Sequence, residues 1–297
     1  MKCDTSRGRL THTTMQRFCR RLWNTSLASL TKGLRRRYQD WRARPDWHLI
    51  KSGPNAGVTL FLPRAHEGGW KEMADGTYDL FFYNEIRKVA DLKGAICWDI
   101  GAHFGYHSVG FAALGAEVTA FEPNEHNAKI LRMNLERNPD LGRRIRHMPL
   151  ALADRDGEMS FIQTSDLKGG SSGSHLEEAM QIFESGGNPD KVKVPVARID
   201  TLIDERGEKK PDILKIDVEG GEALVLRGAQ KLLTNHKPVL LIEVHHIRLM
   251  FEVQELLLRY GYDIKLLDED HGTASRCFIM AYSSAGKPMA KTASISG

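Results

Sequence analysis

The chain has 297 residues, 41% hydrophobic and 27% charged, with a formal net charge of +4. This composition excludes a collagenous, low-complexity or disulfide-scaffold protein and leaves ample length for a buried core. No run of about eighteen apolar residues occurs, so no membrane-spanning helix is expected. The cysteines Cys3, Cys19, Cys97 and Cys277 lack the paired spacing of a zinc site or disulfide framework, so a reducing cytoplasm is the expected compartment.

No apolar segment with a small-residue cleavage site opens the chain, and a secretory signal is not expected. Residues 1–44 instead carry twelve lysines and arginines against Asp4 and Asp40, which leaves the rest of the chain net acidic. Met15, Phe18, Cys19, Leu22, Leu30, Leu34 and Trp41 fall on one side of a helical wheel, and Arg17, Arg20, Arg21, Lys32 and Arg35 largely on the other. Such a basic amphipathic arm fits a helix packed on the body, or peripheral contact of residues 13–44 with an anionic membrane. It also fits a nucleic-acid arm or an organellar transit segment.

Residues 45–90 read as an N-terminal appendage. Pro45, Gly53-Pro54 and Gly68-Gly69 break residues 45–75 into loops around a short strand at 58–62, and a helix over 78–90 leads into the core. Residues 91–283 then alternate. Strands are predicted at 95–100, 118–121, 145–150, 213–217 and 239–244, and helices at 107–114, 125–137, 221–233 and 249–260. That order predicts an α/β fold, a mostly parallel sheet with helices on both faces. Segments 262–267 and 277–282 are too close for a crossover helix and read as an antiparallel closing pair. Between the third and fourth core strands, 159–163 and 192–196 read as strands and 176–183 as a short helix. The Gly/Ser-rich stretch within 164–190 is a candidate lid. Residues 284–297 lack periodicity and are expected to be disordered.

The run Cys97-Trp-Asp-Ile-Gly-Ala-His-Phe-Gly105 carries the most chemistry. A strand ends at an acid, Asp99; Gly101 and Gly105 punctuate a tight turn; a helix follows. This is the opening of a nucleotide-cofactor βαβ unit. A carboxylate before the first glycine would repel a dinucleotide pyrophosphate, but it suits the ammonium and sulfonium of S-adenosylmethionine. Glycines at 101 and 105, with Ala102, His103 and Phe104 between them, let the backbone approach the methionine moiety. The second strand ends at Glu122-Pro123-Asn124, about twenty residues on, where a carboxylate can accept from both hydroxyls of a ribose. Ala151, after the third strand, completes the candidate cofactor contacts.

In an open α/β sheet ligands sit beyond the carboxyl ends of the strands. The fourth strand runs out through Lys215-Ile-Asp217-Val-Glu219 and the fifth through Glu243-Val-His245. Asp217, Glu219, Glu243 and His245 are therefore the candidate catalytic residues, with His245 as base for an acceptor hydroxyl and Asp217 orienting substrate or donor. The same set could hold a divalent metal that acidifies the hydroxyl. Lys215, inside an apolar strand, needs a buried partner, and Glu243 is the expected one.

Together these stretches resemble the FkbM-type family of S-adenosylmethionine-dependent methyltransferases. Trp98-Asp-Ile-Gly-Ala-His-Phe-Gly-Tyr106, Ala120-Phe-Glu-Pro123, Leu214-Lys-Ile-Asp-Val-Glu-Gly220, Leu226-Arg-Gly-Ala229 and Pro238 through His245 carry the likeness. The resemblance implies a class I methyltransferase fold with the first strand central and the last antiparallel. It implies methyl transfer to a hydroxyl of a sugar, glycan, lipid or secondary metabolite. It also implies cofactor contacts at Asp99, Gly101, Gly105 and Glu122, and a reaction centre at Asp217 and Glu219. The family commonly has Asn where His103 stands, and the charge of a histidine there would vary near pH 7. Two other functions fit the motifs less well. A nucleic-acid methyltransferase would use the basic arm, but Asp217-Val-Glu-Gly220 stands where a base-clamping aromatic is expected. A protein could also bind S-adenosylmethionine without transferring its methyl group.

Overall fold

A computed structural model describes residues 45–63, 69–163, 175–180, 190–267 and 277–283. The basic arm, most of the candidate lid and the C-terminal tail lie outside the described residues. The core is a seven-stranded sheet. In chain order its strands are β3 (Ile96–Ile100), β4 (Glu117–Phe121), β5 (Ile145–Met148), β10 (Ile213–Ile216), β11 (Val239–Val244), β12 (Asp263–Leu267) and β13 (Cys277–Tyr282). Their order across the sheet is β12-β13-β11-β10-β3-β4-β5. All neighbours are parallel except β13, which runs antiparallel to both β11 and β12. This is the expected class I arrangement, with the first core strand between the second and the fourth.

Both faces of the sheet are buried, and the two-residue period of the strands divides them. Cys97, Val118 and Leu241 join one apolar cluster with Val109, Phe111 and Leu131 of the helices Tyr106–Ala113 and Glu125–Arg137. Trp98, Leu214, Leu240 and Ile242 join a second with Val225, Leu233 and Leu257 on the opposite side. The strand ends thus emerge at one edge, between two helical layers.

The loop-rich reading of residues 45–75 needs correction. β1 (Pro45–Leu49) pairs antiparallel with β2 (Thr59–Pro63), and a helix spans Gly69–Asp75. Proline at 45 is tolerated because it opens an edge strand, where a missing N–H costs no ladder bond. The single helix read at 221–233 is two, Glu222–Arg227 and Gln230–Asn235. The break falls at Gly228, where an added Cβ would lie 2.0 Å from the carbonyl oxygen of Ala153. The insertion forms a small sheet of β6 (Ala151–Leu152), β7 (Gly157–Gln163), β8 (His175–Leu176) and β9 (Asp190–Ala197), ordered β6-β9-β7-β8. Where a helix was read from 176, the described residues give β8 and one 3-10 turn, Glu177–Met180. Among the described residues no helix is long and apolar enough to cross a membrane.

Candidate functional site

At the carboxyl edge of the sheet, the turns after β3, β4 and β10 enclose a cavity of about 370 Å³, within the size range of small-molecule pockets. The first turn is built on backbone conformation. Gly101 and Gly105 have φ of 78° and 83°, and His103 has φ of 53°. His103 is among the residue types that tolerate this left-handed region best. The turn is pinned from two sides. Gly101 and Ala102 donate their N–H groups to the Phe121 carbonyl, and His103 donates its N–H to Glu122 Oε2 at 2.8 Å.

Glu122 closes β4. Its Oε1 accepts from the backbone N–H of Asn124 at 2.9 Å, and the side chain is buried in the cavity wall. Burial pushes its pKa up to about 7, against the lowering effect of these backbone donors. Gly101, Ala102, His103, Phe104, Pro123 and Ala151 also line the cavity. Gly105 and Asn124 stand behind the wall. Asn124 caps the helix Glu125–Arg137 by accepting from the His126 and Asn127 amides.

Asp99 does not reach the cavity wall. Its carboxylate is fully buried, accepts from Ser108 Oγ at 2.5 Å and lies 3.2 Å from Lys215 Nζ. Strand register explains the pairing, because Lys215 stands directly opposite Asp99 across the β10–β3 ladder. Lys215 is also 3.2 Å from Asp217 Oδ2, and it donates to the Gly101 carbonyl at 3.1 Å. Its partners are therefore Asp99 and Asp217, and Glu243 is not among them. Burial alone would depress the lysine pKa, but the two aspartates raise it above its ordinary value. Burial would likewise raise the Asp217 pKa, yet Lys215 and His245 hold it below the usual carboxylate range.

His103 also departs from expectation. Burial lowers its pKa to about 4, so the ring is neutral near pH 7 and does not titrate there. The ring stacks on Phe104, with centroids 3.8 Å apart, and Trp70 covers both.

Asp217 and Glu219 line the cavity, while Glu243 and His245 stand behind them. His245 Nδ1 is 2.8 Å from Glu222 Oε1. Its Nε2 faces Glu243 Oε1 at 3.4 Å and Asp217 Oδ1 and Glu219 Oε2 at 3.6 Å. Burial alone would lower the histidine pKa, but these four carboxylates outweigh it and push it up to about 11. His245 is thus held by carboxylates at both ring nitrogens and stands behind the cavity wall, with Asp217 and Glu219 between it and the cavity. The backbone of Glu219 is itself strained, with φ of 52°, as is common where a side chain is aimed at a site.

Several lining residues carried no motif. Trp70, Met73 and Tyr78 come from the appendage, and Phe161, His175 and Leu176 from the inserted sheet. His107 also lines the cavity, but both of its ring nitrogens are engaged. Tyr83 Oη is 2.9 Å from Nδ1, and Asp79 Oδ2 is 3.2 Å from Nε2. Burial raises the Tyr83 pKa well above 10, so the phenol keeps its proton beside the ring. A helix over 78–90 was readable, and Tyr83 lies on it, but nothing in sequence tied that tyrosine to His107.

Residues 99–264 match the family described as the methyltransferase FkbM domain. Among curated proteins, the chain is 27% identical over 176 residues to the hexuronic acid methyltransferase AglP of Haloferax volcanii, covering 54% of this chain and 66% of that protein. It is 27% identical over 215 residues to the 31-O-demethyl-FK506 methyltransferase FkbM of Streptomyces tacrolimicus, covering 62% and 82%. It is 26% identical over 180 residues to the 2-O-methyltransferase NoeI of Sinorhizobium fredii, covering 55% and 71%. The chain thus spans just under two thirds of the length of AglP. A solved methyltransferase FkbM from Methylobacillus flagellatus superposes with a TM-score of 0.47 at 20% identity, over 63% of this chain and 43% of that one.

Proposed function

Because the chain belongs to the FkbM methyltransferase family, we propose that it transfers the methyl group of S-adenosylmethionine to a hydroxyl oxygen of a sugar, glycan, lipid or related small molecule. The observation that carries this reading is one cavity bounded by Glu122 at one end and by Asp217 and Glu219 at the other. Glu122 is the carboxylate for the ribose hydroxyls, and the Gly101–Phe104 backbone is the seat of the methionine moiety. Asp99 contributes from beneath, by fixing Lys215 and through it the Gly101 carbonyl and Asp217. The names of two relatives specify methylation at oxygen, which favours a hydroxyl acceptor.

The reaction is an in-line displacement. The acceptor oxygen forms a bond to the methyl carbon, the carbon–sulfur bond breaks with its electron pair staying on sulfur, and the hydroxyl proton leaves. Holding oxygen, carbon and sulfur in line supplies much of the rate. We assign the proton to Glu219, since Asp217 is already neutralised by Lys215 and is the weaker base. Aromatic groups from the appendage, Trp70 and Tyr78, would cover the acceptor and exclude water. Incubation with methyl-labelled S-adenosylmethionine and a panel of hexuronic acids, deoxysugars and polyketide alcohols tests the reading. Label in an alkali-stable ether on one acceptor class supports it, and label in amines or carboxyl esters overturns it.

A further inference from the structure

The cluster behind the cavity gathers four carboxylates, those of Asp217, Glu219, Glu222 and Glu243, around one imidazole. Three carboxylate oxygens, from Glu243, Asp217 and Glu219, surround His245 Nε2 at 3.4 to 3.6 Å. These separations are long for N–H···O bonds, which centre near 2.9–3.0 Å. They suit donors sharing an ion: bonds of about 2.0–2.2 Å in a tetrahedral shell place neighbouring ligand atoms roughly 3.3–3.6 Å apart. One ligand atom each from Asp217, Glu243 and His245 lies within 4.8 Å of the others.

The surroundings add two observations. His245 Nδ1 is held by Glu222 Oε1 at 2.8 Å, and a carboxylate behind an imidazole fixes its proton on the far nitrogen and aims the other at a metal. The second oxygen of Glu222 is fully buried beside the same ring and has no hydrogen-bond partner among the described residues. A buried orphan acceptor in a native protein calls for a water or an ion; this one belongs to the carboxylate at Nδ1 and is not itself a ligand of an ion at Nε2.

We propose that Asp217, Glu243 and His245 hold a divalent cation that takes the place of the Nε2 proton of His245, with Glu222 orienting the imidazole and Glu219 at the edge facing the cavity. The inference rests on the methyl-transfer reading for its purpose. A cation here would stand beside the acceptor and make its hydroxyl easier to ionise. Mixed imidazole and carboxylate donors suit Mn²⁺, Fe²⁺ or Zn²⁺ better than Ca²⁺.

The test uses the full chain after chelator dialysis, titrated with Mn²⁺ alone by calorimetry and water-proton relaxation, then with Zn²⁺. One equivalent is expected to bind the wild type, and binding should be lost in His245→Gln and Glu243→Gln. In Glu222→Gln affinity should fall about 10- to 100-fold. S-adenosylmethionine binding and the thermal transition, measured on the same samples, report folding independently. Failure of both cations to bind a protein that still binds S-adenosylmethionine overturns the metal site alone, as does undiminished binding in folded His245→Gln. Failure of the folded wild type to bind S-adenosylmethionine overturns the methyl-transfer reading instead.

Discussion

Gly101 lies directly against the backbone of Asp217: a Cβ added at Gly101 would stand 1.8 Å from the Asp217 carbonyl oxygen. The turn after β3 and the turn after β10 are therefore packed backbone to backbone, and the proposed cofactor seat and the proposed reaction centre form one rigid unit. The Lys215 ammonium ties the same two turns from inside, through the Gly101 carbonyl and the Asp217 carboxylate.

Gly101→Ala should separate these turns. The clash is with backbone, and φ at this position is 78°, so no side-chain rotation relieves it. The expected cost is on the order of 3 kcal/mol by denaturant unfolding, together with loss of S-adenosylmethionine binding. Gly57→Ala is the matched control. Its φ is 82° but nothing lies within 4 Å of the added Cβ, so only the left-handed penalty of about 1–2 kcal/mol applies.

Lys215→Met should destabilise the protein by about 3–5 kcal/mol, because it leaves the buried Asp99 and the half-buried Asp217 without their cation. Adding Asp99→Asn should recover part of that loss, a coupling that a double-mutant cycle in urea measures. Strict additivity of the two changes would mean that the pair is not an interacting unit.

Cofactor affinity should fall as pH drops below neutrality. Glu122 has its pKa raised from 4.5 to about 7, and hydroxyl donors from a ribose would favour its ionised form. Binding then lowers that pKa, and affinity should decline as pH falls through about 7, by up to about tenfold per pH unit. Folding stability has the opposite slope from this group. The native state keeps the proton between about 4.5 and about 7, so its stabilising contribution is full below that range and is lost as pH rises through it. Glu122→Gln should flatten both profiles.

His103→Asn should be nearly silent. The ring is already neutral, and asparagine tolerates φ of 53° well. Stability within about 1 kcal/mol of wild type is expected, and the pH–rate profile should not change between pH 6 and 7.5. A β-branched His103→Val, strained in that conformation, should be markedly less stable.

The core order was readable because a buried parallel sheet writes itself as short apolar runs between helices, and the closing pair was betrayed by too short a connection. That Gly101, Glu122, Asp217 and Glu219 would line one cavity was readable because strand ends place them by topology alone. The partner of Lys215 was not readable, since it depends on the β10–β3 register rather than on spacing. The partner of His245 Nδ1 was hidden for a similar reason: Glu222 opens a helix, and no spacing in the sequence tied it to the histidine. Trp70 was missed because the helix carrying it is only seven residues long and opens at Gly69, directly after another glycine in the sequence, Gly68.

Calorimetric titration of the full chain with S-adenosylmethionine tests the central claim most directly, with Glu122→Ala and Gly101→Ala alongside. The expected result is one equivalent bound by the wild type, with affinity at least about tenfold weaker in Glu122→Ala, the loss of a charge-assisted hydrogen-bond acceptor, and no binding in Gly101→Ala. Absence of binding to the wild type, or binding indifferent to both substitutions in folded protein, would contradict it.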